Sequence, residues 1–292
     1  MLQAGGFPAK HAAMKPIRFF GRFCLASRLS RICLIAIALP FASIHQAVAE
    51  QDVAVRRTAL YAASGTFGVP GFLYILDPVT GAVLTTVGPL HDDLGNFYGI
   101  TGLKYHPATG ILYGATGHQS PTNPNYLVVV DPATALVTAI GPLGAVLTDI
   151  AIDPTTGTVY GLSEFDENFY TINTSTGQAV QTGSTGIRFA KQGGLAADRT
   201  GAFFGVTNFS FYSFNKSTGM ATLIGPTNLG NLLKAADFSP SNVLYGLEGG
   251  GGINNNHLRW LVTFNVTTGI GTRVGQIPAN DLGSLAFIPI RR

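Results

Sequence analysis

Residues 147–184 read LTDIAIDPTTGTVYGLSEFDENFYTINTSTGQAVQTGS. Four runs in it are rich in aliphatic, aromatic and β-branched residues: LTDIAID (147–153), VYGLSE (159–164), FYTIN (169–173) and AVQTGS (179–184). Runs of this length bounded by Asp, Asn, Pro and Gly read as strands. The sequences DPTTG (153–157) and NTSTG (173–177) read as tight turns. Asp or Asn opens such a turn by bonding its side chain to the backbone ahead of it, and Gly closes it at a positive φ without steric cost. The segment therefore predicts four antiparallel strands, a to d, with compact a–b and c–d turns.

The pattern recurs along the chain. An apolar–aromatic–small triplet opens strand b at Leu60-Tyr61-Ala62, Leu112-Tyr113-Gly114, Val159-Tyr160-Gly161, Phe203-Phe204-Gly205 and Leu244-Tyr245-Gly246. Strand c and its turn recur as FLYILDPVTG (72–81), YLVVVDPATA (126–135), NFYTINTSTG (168–177), SFYSFNKSTG (210–219) and WLVTFNVTTG (260–269). Strand a recurs in ITGLKYHPATG (100–110), QGGLAADRTG (192–201) and KAADFSPSN (234–242), and again in LGSLAFIPI (282–290), which has no b strand after it. Four short strands per repeat of roughly 40–50 residues is the mark of a β-propeller blade. The first repeat lacks strand a and the last a strand lacks a repeat. The tail is expected to complete the blade that the head begins, closing five blades into a ring without free edges. A β-sandwich, the competing all-β architecture, gives no reason for a four-part repeat.

These turns and triplets resemble secreted bacterial β-propellers with YVTN-type and quinoprotein-like repeats, over nearly all of residues 58–292. The resemblance implies the propeller fold and no more. The Gly-His…Trp-Asp pair of WD-type blades is missing, and Trp260 is the only Trp, where quinoprotein repeats carry one per blade. Cofactor binding is therefore not carried over, and no cofactor is expected.

Composition agrees. Of 292 residues only 11% are charged, less than half of a usual share, 46% are apolar and 37 are Gly. That excludes disorder and disfavours helices. Residues 1–49 carry six basic residues and no acidic one, then an apolar run at 32–42 and Ala47-Val48-Ala49. This is the layout of a secretory signal peptide cleaved after Ala49. The run is too short to span a bilayer. The expected organisation is a signal peptide (1–49), a linker (50–57) and one propeller domain (58–292), in a secreted or periplasmic monomer without a membrane span. The mature chain keeps twelve Lys and Arg against fifteen Asp and Glu, a net of −3, which speaks against nucleic acid. Cys24 and Cys33 both leave with the signal.

Function has to be sought in particular residues. The a-strand columns set Leu103, Ile150, Leu195, Ala236 and Leu285 on one face, and small residues on the other. Lys104, Asp149 and Asp237 break the small columns. A lone buried charge is costly, so each needs a partner. They form either a polar ligand site in the central channel or a structural ion pair with carboxylates capping backbone amides. The d–a and b–c connections are the long ones, such as 88–99, 117–125, 183–193 and 248–259. Their face is the expected binding face. It carries the candidates His91, His118, Glu164 and His257. His91, Asp92 and Asp93 with Glu164, Asp166 and Glu167 offer oxygen ligands for Ca²⁺, or simply a solvated acidic rim. Phe67, Phe97, Tyr98, Phe165 and Phe189 could stack on sugar rings or bury loop roots. Residues 249–256 read GGGGINNN, a glycine-rich loop without the strand-to-helix context or Lys of a phosphate loop. No nucleophile elbow or metalloprotease motif is present. The reading is a binding or scaffold module for a protein or carbohydrate, and not an enzyme. The alternative is a metal-assisted, lactonase-like hydrolase.

Overall fold

A computed structural model describes residues 58–65, 68–188, 193–207, 209–249 and 259–290. The signal-peptide and linker assignments, His257, Phe67, Phe189 and most of the 249–256 loop lie outside the described residues.

Twenty strands occur in chain order among the described residues. The first three are β1 (Thr58–Ser64), β2 (Phe72–Leu76) and β3 (Val83–Pro89). Next come β4 (Ile100–Tyr105), β5 (Leu112–Thr116), β6 (Tyr126–Val130) and β7 (Val137–Pro142), then β8 (Leu147–Ile152), β9 (Val159–Ser163), β10 (Asn168–Ile172) and β11 (Ala179–Ser184). They are followed by β12 (Gly194–Ala197), β13 (Phe203–Thr207), β14 (Ser210–Phe214) and β15 (Ala221–Pro226). The last are β16 (Leu233–Phe238), β17 (Leu244–Glu248), β18 (Arg259–Phe264), β19 (Gly271–Ile277) and β20 (Leu282–Pro289). They form five four-stranded antiparallel sheets: β4–β7, β8–β11, β12–β15, β16–β19 and β20-β1-β2-β3. The fold is a five-bladed β-propeller. Blade 1 is closed by the tail, with Tyr61 opposite Ala286 and Thr58 opposite Pro289.

The turns form as their residues dictate. Asp77, Asp131, Asn173, Asn215 and Asn265 each accept a bond from the amide two residues on, at 2.8–2.9 Å. In the a–b turns Asp153 and Asp198 do the same at 2.9 Å, and His106 takes their place through a longer 3.4 Å bond from Thr109 N to its ring.

Within each blade the inner two strands set large residues against small ones. Leu103, Ile150, Leu195 and Ala236 pair across to Gly114, Gly161, Gly205 and Gly246, and Leu285 pairs to Ala62. The space above each small residue is filled by a neighbouring side chain, such as Val128 over Gly114 and Phe214 over Gly205. The cores lie between blades, as one around Leu103, Val128 and Ala286 and another around Tyr160, Phe169 and Phe203 show.

A second contact locks each outer strand to the next blade. Every c–d pairing slips register at a bulge, and a d-strand glycine follows it. Gly141, Gly183, Gly225 and Gly275 lie so close to the carbonyls of Thr176, Thr218, Thr268 and Thr80 in the next blade's c–d turn that a methyl would overlap them. The turn glycines facing them (Gly177, Gly219, Gly269, Gly81) hold φ between 74° and 84°. The blade 1–blade 2 junction differs. Ala135 stands at the turn-glycine position with φ 62°, and a methyl added at Gly88 would lie 3.9 Å from Thr134 O. Val137 N donates to His91 O at 2.7 Å, as Ala179 N, Ala221 N and Gly271 N do to Leu143 O, Thr185 O and Thr227 O at the next three junctions, and here His91 N also donates to Ala135 O at 3.4 Å.

Gly183→Ala is therefore expected to cost about 1–3 kcal/mol or more through overpacking. Gly88→Ala should change stability by less than about 1 kcal/mol, having room for its methyl. Urea denaturation of the two variants beside the wild type measures both.

Candidate functional site

The five inner strands β4, β8, β12, β16 and β20 surround the axis, and their charged residues meet there. Lys104 Nζ lies 3.2 Å from Asp149 Oδ1, with both side chains buried. The Lys104 ammonium also donates to Leu103 O at 3.1 Å and to Leu285 O at 3.3 Å. The Asp149 carboxylate accepts from three backbone amides: Ile150 N and Leu195 N at 2.9 Å, and Ala236 N at 3.3 Å. The pair thus touches blade 1 through Leu285, blade 2 through Lys104, blade 3 through Asp149, blade 4 through Leu195 and blade 5 through Ala236. Ala235, the residue before Ala236, takes a left-handed φ of 50° at a β-bulge.

Asp237 sits nearby on β16. Phe287 N donates to its Oδ2 at 2.7 Å, and Lys104 acts on it electrostatically. Burial pushes both carboxyls up to about 6, against the pull of Lys104 and the amides. Lys104, Asp149 and Asp237 do converge, as the sequence suggested. The first two are saturated by protein groups. Asp237 is half-buried and lines a cavity of about 270 Å³ on the axis. That cavity opens among the four a–b turns and the ends of β1 and β20 at Thr58 and Pro289, with Tyr105, Ile152, Ala197, Phe238 and Phe287 on its wall. The axial cavity thus faces the short-turn end, not the long-loop end where sequence reasoning placed the binding face.

The long-loop end carries a different set of charges. His118 Nδ1 lies 3.0 Å from Glu164 Oε2, and the His118 ring meets Phe165 edge-on at 5.1 Å. Glu164 is buried. Lys234, at the start of β16, is buried as well, and its ammonium is pushed down to about 8 by burial and by Arg259, against the pull of Asp281 and Glu164. Arg259 donates to Gly249 O at 2.7 Å. Sequence reasoning found His118 and Glu164 but missed Lys234, Arg259 and Asp281. The available signal was a charge at the long-loop end of a strand already assigned to the core. Farther out in blade 5, Arg273 grips buried Glu248 with two 2.7 Å bonds and stacks over Trp260 at 5.0 Å.

His91 and its acidic neighbours lie elsewhere, in the loop from blade 1 to blade 2. The Asp92 carboxylate accepts from Leu94 N, Asn96 N, Asn96 Nδ2 and Tyr98 Oη at 2.8–3.2 Å. Tyr98 is buried and roots this loop. Among the described residues no three His, Asp or Glu side chains gather as metal ligands.

No protein-family model matches the chain, and no curated protein matches it. A chain from the crystal structure of a nidogen/laminin complex is similar in structure, with a TM-score of 0.54 and 12% identity over 80% of this chain and 100% of that one. A structural-genomics protein of unknown function from Bacteroides thetaiotaomicron VPI-5482 matches with a TM-score of 0.45 and 15% identity, over 75% of this chain and 64% of that one. Likeness at such identity concerns the propeller fold alone. The YVTN-type and quinoprotein-like resemblance is not extended to family.

Two outcomes follow from the hub. Asp149→Ala strands a buried ammonium and three amides, and should cost about 3–5 kcal/mol. Lys104→Met leaves the carboxylate its amide donors and should cost less; thermal unfolding ranks the two. The raised carboxyls also set a pH dependence. A group that binds its proton more tightly when folded adds stability below its unfolded pKa and loses it as pH rises through the folded one. The stability difference between wild type and Asp237→Asn should therefore fall from pH 4 to about 6 and level off above. Denaturant titrations at pH 4, 5, 6 and 7 read it.

Proposed function

We propose that this chain is a secreted binding module whose long-loop face recognises a protein or a carbohydrate. The supporting observation is the charge at that end of the axis: the His118–Glu164 pair from blades 2 and 3, with buried Lys234 and Arg259 on blade 5. Charged groups kept this far from water on a rigid scaffold are held in position at a cost in desolvation. They sit where the longest connections emerge, and loops on rigid scaffolds usually carry recognition. Two further points support the reading. The signal peptide would deliver the chain to the periplasm or beyond, and the similar nidogen/laminin structure is named as a complex of proteins.

His118 is the residue to change, because its ring is about a third exposed and its loss leaves the hub intact. A tagged mature chain is expected to retain a partner from a cell-envelope extract, or to bind members of a glycan array. His118→Ala should weaken that retention by about tenfold or more while melting within a few degrees of wild type. Equal retention by the variant, or none by the wild type in either assay, contradicts the reading.

A further inference from the structure

The axial cavity at the short-turn end has a chemistry of its own. Its volume, about 270 Å³, is at the small end of ligand pockets and suits a single side chain or a small molecule. Tyr105, Phe238 and Phe287 line its wall and Asp237 contributes its carboxylate. A carboxylate has about four acceptor sites. Amides of the chain use two of those on Asp237: Phe287 N at 2.7 Å, and Phe238 N. The Lys104 ammonium, which could have neutralised it, is bound to Asp149 and to two carbonyls. Two carboxylates thus share one ammonium on the axis, which contacts Asp149 directly and acts on Asp237, the carboxylate beside the cavity, from farther off. The cation at the rim, Arg199, has its guanidinium bonded to Pro240 O at 2.8 Å. A cavity lined by aromatic rings and a carboxylate suits a positively charged nitrogen, through cation–π attraction and charge-assisted hydrogen bonding.

From this geometry we propose that the short-turn funnel is a binding site for a primary ammonium group, held by Asp237 and surrounded by Tyr105, Phe238 and Phe287. The ammonium could come from a small free amine or from a lysine side chain of another polypeptide; the chemistry is shared. The site lies at the opposite end of the axis from His118, so it stands independently of the long-loop reading.

The test uses the mature chain and n-butylammonium as probe, with 1-butanol and butyrate as matched controls. Titration followed by the aromatic NMR signals should saturate for n-butylammonium and not for either control. Asp237→Asn should bind the probe at least about tenfold more weakly, the usual scale for losing one partner of an enclosed charge pair. Ala197→Met keeps the carboxylate but fills the cavity, and should weaken binding by about tenfold or more on the same scale; it carries the test should Asp237→Asn fail to fold. Failure of the wild type to saturate, equal binding of 1-butanol, or undiminished binding by both variants overturns the proposal. A short peptide with one free lysine, and the same peptide with that lysine acetylated, identify the source. Tighter binding of the free-lysine peptide than of n-butylammonium assigns the site to polypeptides, and equal binding assigns it to free amines.

Discussion

The ion pair of Lys104 and Asp149 holds together five sheets that share no strand-to-strand pairing with one another. Propeller blades are bound to their neighbours by side-chain packing, and packing alone is tolerant of small slides. A carboxylate with donors from three blades, facing an ammonium that reaches a carbonyl of a fourth and comes from a fifth blade, is not. Directional bonds in a dry interior lose most of their value when their geometry slips. The charges thus convert five loosely equivalent wedges into one register. They also break the equivalence: Lys104 and Asp237 stand in a column otherwise filled by Ala151, Ala196 and Ala286, and Asp149 in one otherwise filled by Gly102, Gly194, Ala235 and Ser284.

Farther from the axis the lock is steric. Where a d-strand glycine meets the next turn's carbonyl, two backbones approach more closely than any side chain would permit. The blade 1–blade 2 junction is the exception: Ala135 stands where the other turns have glycine, and the two backbones lie farther apart there. There the backbone of His91 bridges to Leu136, and its ring Nδ1 lies 2.8 Å from Asp92 O. Its neighbour Asp92 is likewise spent on holding its own turn. Both were selected for their chemistry, and both turn out to be engaged locally.

The architecture was largely legible in the sequence because each blade repeats the same turn chemistry. Asp or Asn followed by Thr-Gly constrains the backbone locally, so five copies of one short phrase located strands, turns and blade number without reference to tertiary contacts. Closure could be read from the unmatched a strand at the tail. The meeting of Lys104, Asp149 and Asp237 could be read from three charges in columns of small residues. What each charge does there could not, because it depends on amides and carbonyls contributed by other blades, and every residue has those. The same holds for Lys234, Arg259 and Asp281, which come together only once blades 1 and 5 are side by side. The direction in which the axial cavity opens was equally hidden. Loop length points to one end of the ring, whereas the cavity depends on how far the bulky residues Tyr105, Phe238 and Phe287 stand from one another at the other.

Closing blade 1 with β20 has a consequence for the order of folding. Ser284 bonds to Ala63 across 221 residues of chain. Blades 2 to 5 are each built from contiguous sequence and can form as soon as they emerge, whereas the first strand made must wait for the last. Joining such distant segments is slow, because a long loop has to be ordered before its contacts contribute. The ring therefore stays open at blade 1 until β20 pairs with β1, whatever order the other four blades take.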